Sequence, residues 1–189
     1  MFIEFSHIHN ILSLPIGFQI GTSKKVLNVL KKFHSIDVFF SIGLIQVATE
    51  IVFGRYVQPI PINHRNIGFP VSAQLSGYGH SSLDLEQIRV SPHLQYKNTT
   101  ILTHVDCVLR TAIAGVVVPE YRPLIYPGHI CTLAQRGIGG CFGDSGSILI
   151  ARGGAVGVVS FGLSCARGAP DLLARVSSYT RWIDATIRR

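Results

Sequence analysis

No apolar run in this chain supplies the ~18 uninterrupted residues that a membrane-spanning helix requires; the candidate stretch, Phe39 to Val47, is broken by Gly43 and Gln46. A secretory leader is not legible either. Glu4, His7 and His9 stand where a basic segment would be, and no small-residue cleavage site follows. Charged residues are scarce at 14%, and the net charge of +7 is scattered, with only Lys24-Lys25, Lys31-Lys32 and Arg188-Arg189 adjacent. Without a basic helix or an aromatic-basic stacking pattern, that surplus reads as general surface basicity, and no nucleic-acid partner is expected. No C-x-x-C pair occurs, so zinc is not expected, and neither is any other metal or cofactor. Internal repeats and low-complexity tracts are absent too.

What is present describes a folded protein. The chain of 189 residues is 47% hydrophobic, enough for one compact domain or two small packed halves. Nineteen glycines, nine prolines and many short apolar runs favour an all-β fold of short strands and turns. Four cysteines, Cys107, Cys131, Cys141 and Cys165, allow three disulfide pairings or four free thiols. Consecutive pairing would close two loops of similar size, each worth roughly 3 to 4 kcal/mol in the loop-entropy model. Bridges would imply an oxidising compartment, so a secreted, extracellular protein is expected, and with it a chain whose N-terminus is missing.

Along the chain, Lys25 to His34 fits a helical face as well as a strand, and the neighbouring apolar stretches favour strand. Tyr56 to Asn63 carries Pro59 and Pro61, which remove two backbone donors; it reads as an extended connector between two halves. Val71 to Gly79 alternates like a strand closed by a glycine turn, and Gly154 to Phe161 reads as a buried strand. Asn98-Thr99-Thr100 matches the N-glycosylation acceptor pattern. Ser178 to Ile187 reads as a terminal helix with Tyr179, Trp182, Ile183 and Ile187 along one face.

The stretch that carries chemistry is Cys141-Phe142-Gly143-Asp144-Ser145-Gly146-Ser147. Small neighbours lift one serine into the open, and glycine lets backbone N–H groups point at a developing oxyanion. Ser145 is therefore a candidate nucleophile; the bland alternative is a Gly/Asp/Ser β-turn between strands.

Taken with Val57-Gln58-Pro59-Ile60, Leu75-Ser76-Gly77-Tyr78-Gly79, Ile130-Cys131, Val156 to Ala166, Gly168 to Asp171 and Arg175 to Ile183, this loop resembles the trypsin/chymotrypsin family of serine endopeptidases. Order and spacing agree across roughly residues 40–187, apart from a longer loop between Cys107 and Cys131. The resemblance implies an all-β fold of two antiparallel β-barrels with a C-terminal helix, the first barrel incomplete. It divides the chain into a partial first barrel (1–62), a second barrel (63–177) and a helix (178–189) packed on the domain. It supports the pairings Cys107–Cys131 and Cys141–Cys165. The expected occupant of the inter-barrel cleft is a polypeptide substrate or a protein partner, and a monomer is expected.

By the same resemblance, Ser145 is the nucleophile and the N–H groups of Gly143 and Ser145 form the oxyanion hole. Ser160 and Gly162 pair with the substrate backbone, with Phe161 where tryptophan is usual. The primary specificity pocket is lined by Gly139, Gly162 and Asp171. An acid at position 171, with glycine at 139 where trypsins carry theirs, implies a mixed pocket able to take Arg or Lys; the alternative is a solvated turn residue after Pro170.

The first half departs from the pattern. Ser41 stands where the triad aspartate precedes Ile42-Gly43-Leu44-Ile45, and Asp37 would serve only after a register shift. In the family, exchanging that aspartate for asparagine lowers turnover ~10⁴-fold. His7 is the best counterpart of the triad histidine, with His9 and His34 as alternatives. The start of the first barrel and the N-terminal ammonium that would meet Asp144 are expected to be missing. The chain is thus expected to be a weakly active or inactive endopeptidase homologue, with a protein-binding or regulatory module, or a truncated product without function, as rivals.

Overall fold

The computed structural model describes residues 2–4, 29–30, 42–45, 53–55, 57–67, 70–80, 86, 88–117, 125, 127–133, 138–161 and 168–187, and every structural statement below concerns these. Three short strands come from the first half: β1 (Phe2–Glu4), β2 (Val29–Leu30) and β3 (Gly43–Ile45). They form one antiparallel sheet in the order β1-β3-β2. Six more follow: β4 (Val71–Gly77), β5 (Gln95–Ile101), β6 (His129–Thr132), β7 (Ile148–Ala151), β8 (Gly154–Phe161) and β9 (Asp171–Arg175). These close into a barrel in the order β4-β5-β6-β9-β8-β7, with β7 returning to β4.

Burial explains the two kinds of strand. β4 alternates, placing Ala73 and Leu75 inside against Ile101, Ile130, Leu149, Val159 and Leu173. Its solvent side is polar, and there Asn98 on the adjacent β5 stands exposed, its amide oxygen accepting from Gln74. β7, β8 and β9 are covered on both faces, which is why Ile148 to Ala151 and Ala155 to Val159 read as continuous apolar runs. Their outer face carries a second core: Ile148, Ala155, Val158 and Ala174 pack with Ile42, Val176 and Ile183, flanked by Ile60, Ile62, Tyr179 and Trp182. The proline-bearing connector is fastened there by backbone bonds. Asn63 N–H donates to Ala155 O at 3.0 Å and Ala155 N–H to Pro61 O at 2.8 Å.

A 3₁₀ turn (Val176–Ser178) leads into α2 (Thr180–Ile187), the expected terminal helix. Ile183 is fully buried, but Ile187, expected on the same face, is 47% exposed because it closes the helix beyond the core it packs on.

The segment after Cys107 departs from the expectation of a long loop. It carries α1 (His104–Val117). Thr103 caps that helix: its Oγ1 accepts the Asp106 N–H at 3.0 Å while its hydroxyl donates to the Asp106 carboxylate at 2.7 Å. The inner face packs Cys107 with Leu102, Cys131 and Leu172, and a Cys107–Cys131 disulfide bolts α1 to β6. The outer face is apolar, with Val105, Val108, Leu109, Ile113 and Val116 exposed.

Candidate active site

Residues 139–147 run along the barrel into β7 and fold as two consecutive turns. Asp144 N–H donates to Cys141 O at 3.1 Å, and Ser147 N–H to Asp144 O at 2.9 Å. Gly143 at φ 93° and Gly146 at φ 87° occupy the left-handed region, which a side chain would enter only with strain. Those glycines reverse the chain on either side of Ser145, leaving it exposed while Gly146 and Ser147 are buried. The base of the loop is stitched to β8, where Gly146 N–H donates to Val159 O at 3.0 Å and Val159 N–H to Ser147 O at 2.9 Å. The serine thus stands on a fixed base.

Beneath it, the Asp144 carboxylate turns inward. Oδ1 accepts the Gly79 N–H at 2.8 Å and Oδ2 the Cys141 N–H at 3.0 Å. A Cβ on Gly77 or Gly79 would collide with this carboxylate, so both glycines in that stretch make room for it. Burial pushes the Asp144 pKa above the ordinary carboxylate value; the N–H donors of Cys141 and Gly79 oppose that, Asp171 adds to it and Lys97 lowers it.

Asp171 is not a solvated turn residue. It opens β9, only 2% exposed, and its Oδ2 accepts the Lys97 ammonium at 2.7 Å and the Gly140 N–H at 3.0 Å. Lys97 comes from β5, 74 positions away in sequence, and sequence reasoning did not single it out. Gly140 is the residue after Gly139, so the structure brings Asp171 to the stretch that precedes the serine loop.

Ser160 is half-buried near the end of β8, where the β8–β9 register shifts between Val159 and Phe161 and so releases it from the ladder. Cys141 is disulfide-bonded. Its expected partner Cys165, together with His7, His9, His34, Asp37, Ser41 and Gly162, lies outside the described residues. Among the described residues, no group of three His, Cys, Asp or Glu could hold a metal ion, and no helix is long and apolar enough to cross a membrane.

Known proteins resemble this arrangement across most of the chain. The family model described as Trypsin matches residues 18–183. The chain belongs to the trypsin family. Chymotrypsin-2 of Vespa crabro is 32% identical over 160 residues, covering 83% of this chain and 66% of its own length. Serine protease SP24D of Anopheles gambiae is 28% identical, covering 78% of this chain and 49% of its own length. The solved structure of neuropsin, a serine protease expressed in the limbic system of mouse brain, superposes with a TM-score of 0.65 at 24% identity. That match covers 77% of this chain and 61% of neuropsin, and it shows the shared fold. This trypsin-family chain therefore spans about half to two thirds of the length of these relatives.

Proposed function

We propose that this trypsin-family chain holds an extended polypeptide beside Ser145, in an extracellular setting, and hydrolyses it weakly or not at all. The observation that carries the reading is the serine loop: an exposed Ser145 between two left-handed glycines, on a base stitched to β8. Residues 1–62 stand in this reading for a partial first barrel, 63–177 for the second and 178–189 for the packed helix. The chemistry is acyl transfer. Ser145 Oγ attacks the scissile carbonyl as His7 takes its proton, and the N–H groups of Gly143 and Ser145 hold the oxyanion. His7 returns the proton to the leaving amine as the C–N bond breaks, and water then releases the acyl group by the same steps. One oxyanion donor is worth about 2.7–4 kcal/mol in such enzymes. Ser160 and Gly162 hydrogen-bond the bound backbone, while Gly139 and Asp171 border the pocket for its leading side chain.

Weak turnover follows from Ser41, which occupies the aspartate position. A hydroxyl accepts the imidazole N–H, yet carries no charge to stabilise the imidazolium. A fluorophosphonate probe tests both parts of the reading, read alongside anisotropy of a fluorescent denatured polypeptide. The expected result is saturable binding of the polypeptide with slow, sub-stoichiometric labelling of Ser145. Rapid stoichiometric labelling that Ser145→Ala abolishes would overturn weak turnover. Absence of both labelling and binding would overturn the peptide-binding reading.

A further inference from the structure

We propose that Lys97 sets the charge preference of the pocket beside the serine loop, so that the substrate side chain held there is uncharged. This inference rests on the peptide-binding reading above and names the class of residue that the site accepts. Lys97 lies on β5 opposite Leu75, on the barrel-facing side of the strand together with Thr99 and Ile101. The Lys97 ammonium ends on Asp171, which β6 holds in register through Thr132.

At that point Lys97 and Asp171 neutralise each other, and the buried Asp144 carboxyl group lies close enough to be influenced by both. The two side chains are 11% and 3% exposed, and the same carboxylate oxygen also takes the Gly140 N–H. An incoming guanidinium or ammonium has two ways to reach Asp171. It either displaces Lys97, leaving that ammonium buried without its counter-ion, or stands beside it as a like charge in a poorly solvated place. Both are unfavourable, whereas an uncharged side chain meets neither obstacle. The acid that by position alone would recruit Arg or Lys is already neutralised from within the barrel. Lys97 acts here as a specificity-determining residue, and the Asp171 carboxylate becomes available to a ligand only when Lys97 is removed.

The test compares p-aminobenzamidine, a cationic ring compound, with its neutral near-isostere p-aminobenzamide. Both are titrated against the full chain, Lys97→Met, Lys97→Gln, Asp171→Asn and Lys97→Met/Asp171→Asn, and the thermal unfolding of the same samples is followed. Wild type is expected to bind the amide at least as tightly as the amidine. Lys97→Met and Lys97→Gln are expected to move the ratio of affinities at least 10-fold toward the amidine, which then raises their Tm. The double variant should lose that gain. A wild type that prefers the amidine 10-fold or more, with the preference lost in Asp171→Asn, overturns the proposal, and this holds even if the Lys97 variants do not fold. So does an unchanged ratio in a folded Lys97 variant. In that case amide binding by wild type leaves the peptide-binding reading standing, while no binding of either compound to any folded form takes down both.

Discussion

The carboxylate of Asp144 and the backbone N–H of Gly79, 65 residues apart in the chain, meet at 2.8 Å directly beneath the serine loop. The contact ties the turn after β4 to residues 139–147, and it exists because Gly79 has no side chain. Gly79→Ala places a methyl group on the Asp144 carboxyl group. Overpacking of this kind costs about 1–3 kcal/mol. Urea unfolding should show that loss, and whatever labelling of Ser145 by a fluorophosphonate wild type supports should fall further in the variant. An unchanged labelling rate would mean that Asp144 does not support the serine.

Asp144 also gives the protein a pH signature. Burial raises its folded pKa above the ordinary 3.8. Between the unfolded and folded values the folded chain binds more protons, so stability contributed by this group falls as pH rises through that window. Thermal unfolding of wild type and Asp144→Asn should therefore converge or cross in the variant's favour as pH goes from about 4 toward neutrality. A wild-type advantage that grows with pH would mean that the Cys141 and Gly79 donors outweigh burial.

Removing one partner of the Lys97–Asp171 pair leaves a buried charge without its counter-ion. Lys97→Met is expected to cost about 3–5 kcal/mol. Adding Asp171→Asn should restore part of this, with a coupling of at least about 1 kcal/mol in a double-mutant cycle followed by denaturant unfolding. Additive losses would show that the two groups do not act as a pair.

The Cys107–Cys131 bridge joins residues 24 apart in sequence. Loop-closure entropy assigns it about 3.5 kcal/mol. Cys107→Ala/Cys131→Ala should lower the urea midpoint accordingly, and helical circular dichroism from α1 should be lost first, because the bridge is what fastens its inner face to β6.

Much of this was legible in the sequence wherever one local pattern decides the outcome. Gly154 to Phe161 read as a buried strand because apolar cover on both faces leaves no polar alternation to confuse it. The reversals at Gly143 and Gly146 were legible because glycine is needed where φ is positive. Helix α1 was legible in principle: Thr103 and Asp106 have capping-box spacing, and Val105, Leu109, Ile113 and Val116 follow a helical period. Matching the cysteine spacing to a loop of the family passed over that signal. The partner of Asp171 was not legible at all. Seventeen Lys and Arg side chains compete for it in the sequence, and only the pairing of β5, β6 and β9 brings Lys97 within reach.

Closure of the ring in residues 71–175 decides how this protein is handled at the bench. Each of its six described strands has a neighbour on both sides, so closure reduces the strand edge on which a second chain could extend the sheet into an aggregate. The liability sits instead on side chains, along the outer face of α1, where Val105 is 74% and Val116 82% exposed. Self-association during purification is then a matter of apolar surface, eased by Val105→Lys and Val116→Lys, which touch neither the ring nor the serine loop.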